Sequence, residues 1–458
     1  MNDKRQNNQL ELAFTETGRS EAPRVSAEGT ESFEAKRNTE SPTNTERLME
    51  EVCEQENCKR ALKHVQSNKG SAGIDGVTVE RLPAYLKKHW PTIREQLLAG
   101  SYQPQPVKRV EIPKPDGGMR QLGIPTAVDR FIQQAVLQVL QPKWDPTFSD
   151  YSYGFRPNRS AHQAVFQAQQ YIGEGYGTVV DIDLEKFFDR VNHDRLMARL
   201  AKRIADKRML KLIRAFLTAG VMSQGLVSPV DEGTPQGGPL SPLLSNIVLD
   251  ELDRELEQRG HRFVRYADDC NIYVRTPRAG ERVMESITDF ITKKLKLKVN
   301  GAKSAVDRPS KRKFLGFSFT RGRDLKRRIA PKAIQRYKQR IRELTRRTRG
   351  IGIETMVDQL AAYLRGWRGY FGQCQTPSVL MALEQWTRRR LRSVVWKQWK
   401  RGSVRFAELR RRGIGLDLAA QTVGSAHGPW RIANSPALNI ALSNAYFDSL
   451  GLPRLVAR

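Results

Sequence analysis

An α+β fold built on a small antiparallel sheet, followed by an all-helical unit, is what this 458-residue sequence predicts. Three observations carry the expectation. Between Val107 and Phe319, short apolar runs bounded by turns alternate with stretches of helical periodicity, the pattern of strands and helices sharing one domain. After Gly322 only the helical period remains. The charge is divided in the same way. Residues 321–412 carry 26 Lys and Arg against 6 Asp and Glu, in a chain of formal charge +29. Like charges at that density repel unless something neutralises them, so a polyanion, nucleic acid, is the expected partner.

The elements follow in order. Residues 1–46 are rich in Glu, Thr, Ser and Asn with few aromatics and read as a flexible polar tail. A helical pattern begins near Arg47-Leu48. Val107–Ile112 reads as a strand, Pro115-Asp116-Gly117-Gly118 as a hairpin turn and Met119–Ile124 as the return strand. Asp129–Leu140 is helical, with Phe131, Ile132, Ala135, Val136 and Val139 on one face. Thr178-Val179-Val180 is a short strand running into an acidic cluster. Helices are expected over Arg195–Ala205, over Met209–Ala219 and after Pro242. A second hairpin is expected over Arg262–Val274 and a third strand over Lys313–Phe319. Beyond Gly322, Pro331 suits a first helical position, and Ile334, Tyr337, Ile341 and Leu344 form an apolar stripe. A second helix runs from Met356 to Phe371 and a third spans Leu380–Val394 around Arg388-Arg389-Arg390. Trp367, Trp386, Trp396 and Trp399 suit helix packing, with stacking on exposed bases as the other use.

Several classes are excluded. No run approaches the roughly 18 to 20 apolar residues of a membrane span, and the first thirty residues hold no secretory signal. Cys53, Cys58, Cys270 and Cys374 form no CxxC pair and no zinc-site spacing, so a reduced, cytoplasmic protein is expected.

Two segments carry chemistry. In Val180-Asp181-Ile182-Asp183-Leu184, alternate residues share a face, so Asp181 and Asp183 point one way and the apolar residues the other. In Phe263-Val264-Arg265-Tyr266-Ala267-Asp268-Asp269-Cys270-Asn271-Ile272, two adjacent carboxylates occupy a hairpin tip between apolar arms. Carboxylates so close are costly without a cation. Mg²⁺, a hard ion that takes carboxylate and phosphate oxygens, is the expected one, and two such ions suit phosphoryl transfer.

Tyr266-Ala267-Asp268-Asp269 in an apolar hairpin, with an upstream strand that ends in Asp and an aromatic five residues on, resembles the palm of a reverse transcriptase. The resemblance runs in order over roughly residues 65–450. It implies that Asp183, Asp268 and Asp269 are catalytic, with Asp183, Leu184, Asp268 and Asp269 at the two Mg²⁺ ions. Asp181 is the local competitor for Asp183. Phe188 matches the steric gate under the sugar. Lys114 and Arg120 flank the Asp116-Gly117-Gly118 tip and resemble residues gripping the incoming dNTP. Gln236, within Thr234-Pro235-Gln236-Gly237-Gly238, would touch the nucleotide sugar or the template. Lys303 would donate a proton to pyrophosphate, and Lys313-Phe314-Leu315-Gly316-Phe317 resembles the primer grip.

Other segments resemble the proteins encoded by bacterial group II introns: Gln66–Ile74, Tyr153-Gly154-Phe155-Arg156-Pro157, Tyr363-Leu364-Arg365-Gly366-Trp367, Gly428-Pro429-Trp430 and Asn444-Ala445-Tyr446-Phe447. The resemblance implies a right-hand polymerase fold. Residues 47–178 would form an N-terminal extension and fingers, 179–320 the palm, 321–412 a basic helical thumb or maturase domain, and 413–458 an extension able to hold DNA. The HNH endonuclease of many relatives is not expected here. The implied partners are intron RNA, a DNA target, the RNA–DNA hybrid and dNTPs, with no membrane, in a bacterial cytoplasm near the nucleoid. The alternatives are a reverse transcriptase of another lineage, serving retrons or phage defence, and an RNA-binding splicing factor without polymerase activity.

Overall fold

In the computed structural model the described residues are 45–113, 119–223, 226–228, 232–234, 237–322 and 324–456. The fold is α+β, as expected. A four-stranded sheet has the order Arg262–Tyr266, Asp269–Val274, Thr178–Ile182, Ala305–Asp307. A second has the order Met119–Ile124, Val107–Pro113, Val221–Ser223, Leu226–Ser228. In the second, the hairpin read from sequence pairs antiparallel in the register Lys108↔Ile124 to Pro113↔Met119. Strand Val221–Ser223 joins it in parallel through Val107↔Val221.

The chain divides into two compact units. One comprises the residues up to Ala164, Val180–Ile272 and Glu281–Ala305. The other comprises Val165–Val179, Tyr273–Gly280 and the residues from Val306 onward. In the first, the helix expected over Asp129–Leu140 extends over Ala127–Trp144. Thr126 starts it by accepting the Asp129 N–H through its hydroxyl at 3.0 Å. Phe131, Ile132, Ala135 and Val136 are buried as their spacing requires. The helices at His193–Ala201, Lys207–Thr218 and Ser241–Gln258 lie within a few residues of their sequence positions.

In the second unit two expectations need correction. The strand placed over Lys313–Phe319 is only Phe317–Phe319. Leu315 and Gly316 both adopt positive φ (50° and 82°), which turns the backbone tightly and leaves Phe314 bridged to Phe317. Nor is the chain after Gly322 wholly helical: Arg327–Ile329 pairs antiparallel with Phe317–Phe319. Three residues are too few for alternation to show in sequence, although Arg327 and Ile329 are both buried. From Pro331 the helical reading holds, with helices at Pro331–Leu344, Ile353–Phe371 and Pro377–Gln398.

Short helices between Gly402 and Ser449 complete this unit, and one apolar cluster joins Tyr337, Ile341, Leu360, Leu391 and Trp396 to Ile414, Leu438, Phe447 and Leu455. All four cysteines are free and buried. Among the described residues no helix is long and apolar enough to cross a membrane.

Candidate active site

The burial pattern of Thr178–Ile182 follows from alternation. Val180 and Ile182 are buried, whereas Asp181 and then Asp183 are half-exposed on the other face. The next strand in the sheet is Asp269–Val274. Two contacts fix the sense of this pair. The Asn271 amide nitrogen donates to Asp181 Oδ1 at 3.1 Å, in the amide orientation that satisfies both groups. Thr178 and Val274 side chains both lie 3.4 Å from the Cβ position of Gly280. Both contacts suit an antiparallel pair, in which the strand ends bearing Asp183 and Asp269 lie side by side. Asp181 is therefore engaged along the strand with Asn271, one step back from the hairpin tip.

That tip is a two-residue turn, Ala267-Asp268, between strands ending at Tyr266 and beginning at Asp269. Ala267 has φ 56°, a position where glycine is the ordinary occupant. Asp268 is half-buried and Asp269 exposed. Gly154 presses on the turn: a Cβ there would lie 2.9 Å from the Tyr266 carbonyl carbon. This gives a reason for the glycine in Tyr153-Gly154-Phe155.

Asp183 is held by its backbone. Its N–H donates to Ser304 Oγ at 3.0 Å, and its carbonyl accepts the Asn300 N–H at 2.8 Å. The segment Leu297–Ser304, which holds Lys303, resembles a palm motif in sequence, but the bonds of Ser304 and Asn300 to Asp183 could not be read there, because nothing in one sequence marks which loop closes on a strand end. Lys303, in the same turn, places Nζ 3.2 Å from Asp183 Oδ2. That buried oxygen accepts no hydrogen bond among the described residues. Leu184 is buried and bridges Val299. Glu185 pairs with Arg190 at 2.8 Å and Lys298 at 3.1 Å, and these cations hold its carboxyl below the usual range, the Lys298 hydrogen bond most strongly.

Among the described residues no three or more acidic, His or Cys side chains converge as a cation site. The donors nevertheless fit one. A buried carboxylate oxygen without a hydrogen bond, already facing an ammonium, is a position that attracts positive charge, and an all-oxygen donor set suits a hard divalent ion.

Phe188 follows in a short 3₁₀ turn, half-buried and edge-on to the buried Phe187 with ring centroids 5.3 Å apart. Its carbonyl accepts the Thr234 N–H at 2.6 Å, which ties this loop to the Thr-Pro-Gln-Gly-Gly segment. Phe188, Phe155, Leu122, Arg130, Gln134, Gly237 and Gly238 line a cavity of about 580 Å³. Gly237 has φ 132°, and a Cβ there would come 2.6 Å from the Gly123 carbonyl oxygen, so only glycine suits this wall. Lys114 and Gln236 lie outside the described residues. Arg120 is placed by its backbone alone, which pairs with Ile112.

The basic helices also need one correction. Of Arg388-Arg389-Arg390, part of the basic stretch expected to meet a polyanion, Arg388 is 1% exposed and pairs with Asp448 at 2.7 Å and Glu384 at 3.3 Å. Arg389 stacks 4.3 Å over Trp430 and donates to its carbonyl at 3.0 Å. A pattern of three arginines on a helix cannot show which one meets an acid 60 residues later. Cations do gather elsewhere on this unit: Lys338, Arg342 and Arg390 surround Trp386 at 5.5–5.8 Å. Arg340, Arg346 and Arg349 line an open cleft with Tyr363.

The stretch that carries these residues is similar to a described family. Residues 112–319, which include the three carboxylates, Phe188 and Lys303, match the family described as reverse transcriptase (RNA-dependent DNA polymerase). Enzymes of this family use divalent metal ions. Residues 334–413 match the group II intron maturase-specific domain. Two successive stretches of the chain are thus similar to a reverse transcriptase and to a group II intron maturase-specific domain.

Protein YkfC of Escherichia coli is 40% identical over 48% of this chain and 60% of its own length. The group II intron-encoded protein LtrA of Lactococcus lactis is 39% identical over 45% of this chain and 34% of its own length. A putative COX1/OXI3 intron 1 protein of Saccharomyces cerevisiae is 32% identical over 43% of this chain and 24% of its own length. The chain therefore spans between about a quarter and three fifths of these curated relatives.

Proposed function

We propose that the chain is an RNA-directed DNA polymerase encoded by a group II intron, acting in intron mobility and, as a maturase, binding intron RNA to assist splicing. The observation that carries the reading is the side-by-side placement of the Asp183 strand end and the Asp268-Asp269 hairpin, within a matched reverse transcriptase domain. In this reading residues 47–178 serve as N-terminal extension and fingers, 179–320 as palm, 321–412 as thumb and maturase domain, and 413–458 as a region able to hold target DNA. Its setting would be a bacterial cytoplasm, near the nucleoid.

Asp183, Leu184, Asp268 and Asp269 would hold two Mg²⁺ ions, which supply charge for activating the primer hydroxyl and stabilising pyrophosphate. Lys303, whose Nζ lies 3.2 Å from Asp183 Oδ2, would stand beside the ion and could give a proton to departing pyrophosphate. Phe188 lies in the wall of a cavity; were that cavity to take the sugar of a dNTP, the ring would exclude a 2′-hydroxyl. Lys114, Arg120 and Gln236 would grip triphosphate and template. The exposed cations of the second unit would neutralise phosphates of intron RNA and of the RNA–DNA hybrid.

The test is extension of a DNA primer on an RNA template with dNTPs and Mg²⁺. The wild-type chain should extend it and Asp183→Asn should not. Extension by Asp183→Asn at the wild-type rate, with Asp181→Asn inactive, would transfer the role to Asp181.

A further inference from the structure

Arg265 precedes the Ala267-Asp268 turn by two residues and is wholly buried, 0% exposed. A guanidinium carries five N–H donors in a rigid fork, and five hydrogen bonds leave this one. Nε donates to Asp253 Oδ1 at 2.7 Å. Nη2 donates to Asp253 Oδ2 at 2.5 Å and to Ser152 Oγ at 2.7 Å. Nη1 donates to Asn246 Oδ1 at 3.0 Å and to the Ala267 carbonyl at 2.9 Å. Asn246 in turn donates to the Gly154 carbonyl at 2.8 Å. One side chain therefore connects helix Ser241–Gln258, the segment Ser152–Gly154 and the turn that presents Asp268.

The bond to Ala267 is the informative one. Ala267 sits at φ 56°, a left-handed conformation unfavourable for a residue with a Cβ, and so must be imposed from outside. Its carbonyl belongs to the peptide plane joining it to Asp268, so fixing that oxygen fixes the direction in which Asp268 leaves the backbone. A buried ion pair is a poor means of stabilising a core, since well-packed apolar residues of similar volume do as well or better. What this pair does in addition is hold the turn, through the bond from Nη1 to the Ala267 carbonyl.

We propose that Arg265 is a positioning residue for the metal-binding carboxylates: anchored by Asp253, Asn246 and Ser152, it locks the Ala267–Asp268 peptide so that Asp268 meets the divalent ion. This rests on the polymerase reading above. It predicts that loss of the fork weakens metal capture while leaving nucleic-acid binding, made elsewhere, intact.

The test uses the full chain. Arg265→Lys keeps the charge beside Asp253 and loses the fork. The double variant Arg265→Met with Asp253→Leu removes the buried charges together and keeps the volume. Each is checked for folding by thermal melting, for Mn²⁺ binding by electron paramagnetic resonance, for primer–template affinity, and for nucleotide incorporation as a function of Mn²⁺. In whichever variant folds, Mn²⁺ affinity and incorporation should fall about 10- to 100-fold, as when the supports of metal ligands are removed. Excess Mn²⁺ should restore part of the rate, and primer–template affinity should hold. A folded variant with Mn²⁺ affinity and incorporation both within about twofold of wild type would overturn the proposal. If the wild-type chain proves not to polymerise, the Mn²⁺ comparison still decides the role of Arg265, so the two readings fail separately.

Discussion

Replacing Arg388 by methionine should unlatch the C-terminal helices from the long helix Pro377–Gln398. Arg388 is buried, and its guanidinium meets Asp448 at 2.7 Å, Glu384 at 3.3 Å and the Asn444 carbonyl at 2.9 Å. Removing one member of a buried ion pair costs about 3–5 kcal/mol, because the remaining charge keeps its desolvation penalty. Here the loss belongs at the lower end. Asp448 retains Arg454, and Glu384 still accepts the Leu455 N–H at 2.8 Å. A loss of about 3 kcal/mol corresponds to a drop on the order of 6–12 °C in melting temperature for a unit of this size. Five of the seven tryptophans, Trp367, Trp386, Trp396, Trp399 and Trp430, lie in this unit, so intrinsic fluorescence follows the transition directly. Asp448→Asn alone and the double variant complete a cycle in which the two losses are less than additive. A methionine variant melting within about 1 °C of wild type would refute the reasoning, since it would mean the buried guanidinium is replaceable without loss.

Three further expectations follow from named residues. Phe188→Val should admit ribonucleotides with modest loss of dNTP use in single-nucleotide incorporation, and unchanged selectivity would place the gate elsewhere. Converting Lys338, Arg342 and Arg346 to Glu should flatten the dependence of RNA affinity on salt, by about 0.7–0.9 of a unit in log–log slope for each phosphate that is no longer neutralised. An unchanged slope would mean these cations face only solvent. Glu50 and Asp206 share Arg208, at 2.8 and 2.9 Å. Arg208 holds the Glu50 carboxyl below its usual range. Burial pushes Asp206 up but is outweighed by its bonds to Arg208 and the Met49 N–H. Their contribution to stability is therefore full above the unfolded carboxylate pKa values of about 4 and is lost as pH falls through the lower folded values. Urea unfolding should show this acid loss in wild type and a smaller one in Arg208→Met, and equal losses would contradict it.

What could be read in the sequence was what local pattern encodes. Alternation in Val180–Leu184 gave the faces of Asp181 and Asp183, and the apolar arms around Ala267-Asp268 gave the hairpin. What could not be read depends on distant partners. Ser304 closing on Asp183, Gly154 pressing on Tyr266 and Asp448 reaching Arg388 join residues between 60 and about 121 positions apart. Each of these pairings is set by packing, for which a single sequence has no periodicity. The strand Arg327–Ile329 was missed for the opposite reason, since three residues are too short a run for alternation to stand out. The arginines of Pro377–Gln398 show the limit most clearly: composition identified a cationic helix but could not separate the buried Arg388 from cations that remain outside.

The most direct measurement of the central claim separates synthesis from RNA binding in one protein. Asp268→Asn combined with Asp269→Asn removes the hairpin carboxylates and leaves the basic helices untouched. Purified double variant and wild type are compared in primer extension on an RNA template, in RNA affinity and in assisted splicing of a group II intron. Extension should be abolished while RNA affinity and splicing assistance stay near wild type, because the cations proposed to meet phosphate lie elsewhere and the RNA would supply the splicing chemistry. Primer extension at a near wild-type rate in the double variant would contradict the claim.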